Sequence, residues 1–330
     1  MKFCSSRIAA TLLAATGLAV VALAQGDRPR TDPGDDGINF AEKIKHKPNP
    51  HGAPAAPPAG SIGIINPPIT YHGGPVIGTP NVYLIWYGNW NQNNGTDTAA
   101  GQQIIRDFVY GINNSAYFKI NTTYTTGPYT VTGSVNKESE FTVGSPYSNR
   151  LSDNGVLTVV SNAINVGNKN GKLPYDANGV YFVLTSSDVN ETSGFCTQYC
   201  GWHYWGNTSS HQHVRYSFIG NAARCLNACA IQSTGPNGNA GVDGMASILA
   251  HELSETTTDP DGTGWWDSQG QENGDKCAWT FGQTLTTLAS GAYYNVTLPA
   301  SSTSSRNFEI QRMLKQAPNA DTCNMSLTSQ

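Results

Sequence analysis

The stretch ILAHELSETTTDP, residues 248–260, places His251 and Glu255 four positions apart, with Glu252 directly after the His. On a helix, side chains at this spacing project from one face about one turn apart, so an imidazole and a carboxylate can grip a single cation. Glu252, turned by about 100 degrees from His251, reaches a water on that cation without being a ligand. The HExxH pattern of zinc-dependent peptidases has a second His at the fifth position, where this chain has Glu255. The chemistry these residues suit is hydrolysis: a cation lowers the pKa of water, and Glu252 takes the proton as general base. The competing reading is a hydrogen-bonded structural cluster near a helix end.

A second acidic stretch, GWWDSQGQENGDKCAW, supplies Asp267, Glu272 and Asp275 next to Cys277, where a disulfide would pin the loop. The ligand set expected is His251 and Glu255 with one or more of Asp259, Glu272 and Asp275; Asp259 is a further four residues along, if the last turn stays helical. Such a set is rich in oxygen. Zinc is the leading expectation for the divalent metal, with calcium as the alternative and manganese open to the same donors. His203, three residues after Cys200, is an accessory candidate for a ligand or acid group. Trp265 and Trp266, with Trp202, Tyr204 and Trp205, offer either an aromatic platform for sugar or peptide or ordinary core aromatics.

These side chains need elements to hold them. Residues 242–258 read as a helix with Met245, Ile248, Leu249 and Leu253 on its buried side, ended by Asp259-Pro260. The run NVYLIWYGNW, 81–90, reads as a strand buried on both faces. Ile104, Ile105, Phe108, Val109 and Ile112 repeat at helical spacing, with Asp97 as a cap, and a second helix is expected from about 156 to 166, ending at Gly167. Strands are predicted over 179–189 and 213–220, separated by a Cys- and His-rich loop. The fold class expected is α/β (α+β): a zincin-like single domain with a mixed central sheet, flanking helices and disulfide-fixed loops. Helix, strands and then a metal-carrying helix is the order of zincin folds, an analogy that does not itself decide function.

Lys2 and Arg7 precede an apolar run closing on Ala22-Leu23-Ala24, so residues 1–24 read as a secretory signal sequence. Residues 25–70 are rich in Pro and Gly and read as a disordered leader or propeptide, and residues 71–330 as the folded hydrolase-like domain. The mature chain is therefore expected outside the cell, with no membrane association after cleavage. Charged residues make up 13% and the formal net charge is -4, with no basic stripe to attract nucleic acid. Cys196, Cys200, Cys225, Cys229, Cys277 and Cys323 remain after cleavage, an even set that suits disulfides. Their connectivity stays open, and a Cys4 zinc site fits less well because C-x3-C is not the usual ligand spacing.

YHGGPVIGTPNVYLIWYGNW, VYFVLTSSDV with GFCTQYCGWH, FIGNAARCLNACA and GVDGMASILAHELSETTTDPDGTGWW together resemble the Exordium, or phosphate-induced protein, family over roughly residues 71–325. The cysteine pattern is the most specific part of that resemblance. It implies a secreted, disulfide-bonded protein of the extracellular matrix or cell surface, linked in plants to growth responses. Plant members look like NLASLLAGTATNPFGNGYF here, without the His and both Glu of the helix. From His251 to Cys277, and in FEIQRMLKQ before Cys323, the chain is similar instead to microbial secreted proteins carrying HExxE, TDP and ExxDxC, which look like metallopeptidases. The expected function is a secreted metal-dependent hydrolase, a zinc-type peptidase acting on peptide or polysaccharide in the extracellular space. The alternative is a non-catalytic matrix or carbohydrate-binding protein with a structural metal site.

Overall fold

The computed structural model describes residues 65–164, 172–282, 285–318 and 320–328. The expected signal sequence, most of the expected leader and the helix end expected at Gly167 lie outside the described residues. The last leader residues do not: Ile69 is buried, and Thr70 pairs with Trp266 in a two-stranded ribbon.

A five-stranded mixed sheet forms the centre. Its strands are β1 (Asn81–Tyr87), β2 (Asn136–Gly144), β3 (Gly179–Thr185), β4 (Gly201–Asn207) and β5 (His213–Ile219), in the spatial order β2-β1-β3-β5-β4. All run parallel except β4, which lies antiparallel to β5 at one edge. Helix α1 (Ala99–Ile112) links β1 to β2, α2 (Asp153–Ala163) links β2 to β3, and α3 (Ala240–Thr258) follows β5. All seven residues of β3 are buried, as expected of a strand covered on both faces. The edge strand shows which helix covers which face. A Cβ on Gly201 would meet Ile248 of α3, while one on Gly206 would meet Leu157 of α2; five residues apart in a strand, the two positions face opposite ways.

Two readings of the sequence are corrected here. The cap of α1 is Thr98, whose side chain accepts from Gly101 N; Asp97 is buried and accepts from Ser187 N and Asn221 Nδ2, tying the start of α1 to the loop after β3. The Cys- and His-rich segment before residue 213 contains β4, a regular strand paired with β5 over all seven residues. The predicted strands over 81–90 and 179–189 are shorter than expected, ending at Tyr87 and Thr185.

Helix α3 runs through the core with every residue from Gly241 to Thr258 buried, so its apolar side chains and its SETTT run alike lack solvent. The hydroxyls of that run are satisfied locally. Ser254, Thr256, Thr257 and Thr258 donate to carbonyls four residues back at 2.9, 2.6, 2.6 and 3.2 Å. Without those bonds each buried hydroxyl would cost about 1–3 kcal/mol. Asn239 caps the start, accepting from Val242 N, and Asp259 closes the end, its N–H donating to Glu255 O.

The cysteines pair as Cys196–Cys225, Cys200–Cys229 and Cys277–Cys323, which removes the Cys4 zinc alternative. Two bridges fasten the loop before β4 to the consecutive short helical turns Ala222–Cys225 and Leu226–Cys229, and the third ties the acidic loop to the ribbon formed by Met313–Lys315 and Thr322–Asn324.

Candidate metal centre

Three segments converge on the middle of α3. The helix supplies His251, Glu252 and Glu255; β4 supplies His203, which shares the face of Gly201 two residues before it and so points at α3; the loop after Trp266 supplies Glu272 and Asp275. Gly274 lets this loop come close, because a Cβ there would lie 2.7 Å from His251 Nδ1 and 2.9 Å from Glu255 Oε1.

Glu255 is the hinge of the arrangement. Its Oε1 lies 2.9 Å from His251 Nε2 and accepts from Asp275 N at 3.0 Å, while its Oε2 lies 3.5 Å from His203 Nδ1. Glu252 Oε2 is 3.1 Å from the same His203 Nδ1, and Glu272 Oε2 is 3.4 Å from His203 Nε2. Asp275 Oδ1 lies 3.5 Å from His251 Nε2, and its Oδ2 accepts from Glu272 N at 3.1 Å. Gln311 completes the setting: its side-chain amide lies 2.7 Å from His251 Nδ1, and its Nε2 donates to Gly274 O at 3.1 Å, tying the ring to the loop.

The electrostatics follow from crowding carboxylates in a core. Burial opposes charge on His203, yet Glu272, Glu252 and Glu255 outweigh it and push the imidazole up to about 10. His251 behaves alike, burial opposing and Glu255, Asp275 and Glu252 raising it well above the ordinary value. Glu255 is held below the usual carboxylate range, burial being overcome by His251 and His203. Asp275 is pushed up to about 6 by burial and by Glu255, against the pull of His251.

Two sets of donors have the spacing of a cation shell: His203, Glu252 and Glu255, and His251, Glu255 and Asp275, the ligand atoms of each set lying within 4.8 Å of one another. The structure thus gathers His251, Glu252, Glu255, Glu272 and Asp275 at one place. It does not bring Asp259 there, for its Oδ1 accepts from Gly264 N at 2.7 Å and shapes the turn after α3. Trp265 and Trp266 also lie elsewhere, in the ribbon with Thr70 and Tyr71, where Trp265 packs on Tyr71 and Tyr124 and Trp266 stacks on His72.

The surrounding chain carries a family signature. Residues 69–316 match the phosphate-induced protein 1 conserved region. The chain belongs to the phosphate-induced protein 1, or Exordium, family. It is 29% identical over 247 residues to Protein EXORDIUM-like 5 of Arabidopsis thaliana, covering 65% of each chain. To Protein EXORDIUM-like 3 of the same plant it is 32% identical over 229 residues, 60% of this chain and 64% of the relative. Protein PHOSPHATE-INDUCED 1 of Nicotiana tabacum is 26% identical over 224 residues, 61% and 68% of the two chains. The matches span just under two thirds of the length of the two EXORDIUM-like relatives. No solved structure matches the chain.

In this Exordium-family chain, Gln311 and Tyr117 escape sequence reasoning, and His203 is expected from the sequence only as an accessory group. His203 stands at its centre, although its local sequence shows only a His near cysteines. Gln311 lies 60 residues from its partner His251, and no local pattern links them. Tyr117 is a buried phenol whose hydroxyl has no hydrogen-bond partner; burial and then the charge of Glu255 raise its pKa. The three disulfides fit an extracellular protein, and among the described residues no helix is long and apolar enough to cross a membrane.

Proposed function

We propose that this Exordium-family chain is a secreted, metal-dependent hydrolase of the zinc-peptidase type on a zincin-like single domain, acting on peptide or polysaccharide outside the cell. The donor set fits a divalent cation. Glu252, Glu255, Glu272 and Asp275 bring four carboxylates against two imidazoles, so even with both imidazoles charged the cluster keeps a net negative charge in the core. Buried charge of this kind is stable only when paired or bound to a metal.

His251, Glu255 and Asp275 would hold the cation, with zinc first and calcium second. Bound there, it would supply Lewis acidity and lower the pKa of a water toward about 7. The chain's own residues do the rest. Gln311, held by Gly274 O, sits against Nδ1 of the His251 ring. Glu252 accepts the proton, and this is the observation that carries the reading: its Oε1 is buried one residue from the ligand His251 and has no hydrogen-bond partner. A carboxylate kept ready in that way is what general-base catalysis needs and what a purely structural cation shell does not.

The second reading, a non-catalytic matrix or carbohydrate-binding protein with a structural metal, draws on closure. His203 is 3% exposed, Glu252 1% and His251 0%. Glu252→Gln separates the two. Under the hydrolase reading the variant loses roughly 100-fold or more of casein-type hydrolysis while keeping the metal held by His251, Glu255 and Asp275. Activity that survives the change removes Glu252 as the base, and a wild-type chain that holds metal without hydrolysing anything supports the structural reading.

A further inference from the structure

We propose that the cluster is a dinuclear centre: a second divalent cation sits between His203 Nδ1, Glu252 Oε2 and Glu255 Oε2, and Glu255 bridges it to the first. The inference rests on reading His251, Glu255 and Asp275 as the first cation site, and adds a site with its own ligands.

Geometry comes first. The two oxygens of Glu255 face different imidazoles, Oε1 lying 2.9 Å from His251 Nε2 and Oε2 3.5 Å from His203 Nδ1. A carboxylate placed in this way can give one oxygen to each of two ions. Each side then has its own His and its own second carboxylate, Asp275 on the His251 side and Glu252 on the His203 side, and each donor set is compact enough for one ion. The donors form two such compact sets sharing Glu255.

Charge decides between one ion and two. Among the described residues, the ion pairs of Glu252, Glu255 and Asp275 are all to His203 and His251. With His251 neutral, as a ligand must be, one divalent ion leaves the four carboxylates with two uncompensated charges in the core, or with one if His203 is charged. Two divalent ions balance them.

The remaining contacts fall into place as supports for metal ligands. Glu272 Oε2 lies 3.4 Å from His203 Nε2, the nitrogen turned away from the proposed ion, and so orients that ring as carboxylates commonly do behind a metal-bound His. Gln311 holds Nδ1 of His251 while Nε2 faces Glu255 and Asp275. Glu252 uses Oε2 toward His203, and its unpartnered Oε1 remains to accept a proton. Two imidazoles with four carboxylates suit a pair of zinc- or manganese-type ions better than calcium, which prefers oxygen alone.

The test counts metal. The full wild-type chain is stripped with chelator, titrated with Zn2+ to saturation, freed of loose ions by gel filtration and measured for zinc per chain. Two equivalents are expected in the wild type and one in His203→Ala, with circular dichroism confirming that the variant is folded. One equivalent in the wild type overturns the second site and leaves the first standing; none overturns both; two in the folded His203→Ala chain place the second ion elsewhere and overturn the proposal. Should His203→Ala not fold, loading the wild type with Mn2+ decides by paramagnetic resonance. Ions bridged at about 3.5–4 Å, as in two-metal sites, give an exchange-coupled spectrum, and a spectrum of isolated ions overturns the proposal.

Discussion

Glu191 shows at the residue scale how this chain treats a buried acid away from the candidate metal centre. Its Oε2 accepts from Ser193 N and Ser193 Oγ, both at 3.0 Å, and from Tyr199 OH, while Ser193 Oγ also reaches Asp153 Oδ1 at 2.8 Å. Burial, with Asp153 alongside, pushes Glu191 up from 4.5 to about 7. The folded chain therefore binds this proton more tightly than the unfolded chain does. The stabilisation is complete below 4.5 and is lost as pH rises from there through about 7. We expect the difference in unfolding free energy between pH 5 and pH 8 to be larger in the wild type than in Glu191→Gln, by on the order of 2 kcal/mol. Denaturant midpoints at the two pH values check this, and equal pH dependence in both proteins contradicts it. Tyr117 gives a simpler case. Its buried hydroxyl has no hydrogen-bond partner, so Tyr117→Phe should leave the melting temperature unchanged or raise it.

At the scale of elements, the centre depends on how closely the acidic loop approaches α3. Gly274→Ala inserts a Cβ 2.7 Å from His251 Nδ1 and 2.9 Å from Glu255 Oε1, so the loop or the ring must shift. Zinc affinity should fall about 10- to 100-fold, the range for disturbed supports behind metal ligands. Competition against a chromophoric chelator measures it, and unchanged affinity would show that the loop is not part of the centre. The same elements explain what was legible beforehand. Helix α3 could be read because its apolar residues, its HExxE spacing and its Asp-Pro stop all lie within one stretch, as do Glu272 and Asp275 in theirs. Strand β4 could not: Trp202, His203 and Tyr204 are all buried, so no alternation marks the strand, and only its pairing with β5 defines it. His203 was therefore visible as a residue and invisible as the central one. Asp259 was misplaced for a related reason, since the helical register that aligns it with Glu255 ends at that position.

At the scale of the whole molecule, a weakly charged chain with a formal net charge of -4 concentrates four of its carboxylates in the core, and its stability is tied to whatever neutralises them. A ligand at about 1,000 times its dissociation constant stabilises the folded state by about 4 kcal/mol. For a domain of this size each kcal/mol is worth roughly 2–4 °C. Calorimetry before and after chelation should therefore show a fall on the order of 10 °C, reversed by Zn2+ and absent in Glu255→Gln. The central claim, that the buried cluster is a metal centre, is tested most directly by elemental analysis of the purified wild-type chain kept free of chelators. The account predicts at least one tightly held divalent metal per chain, zinc foremost; a metal-free chain of full stability contradicts it.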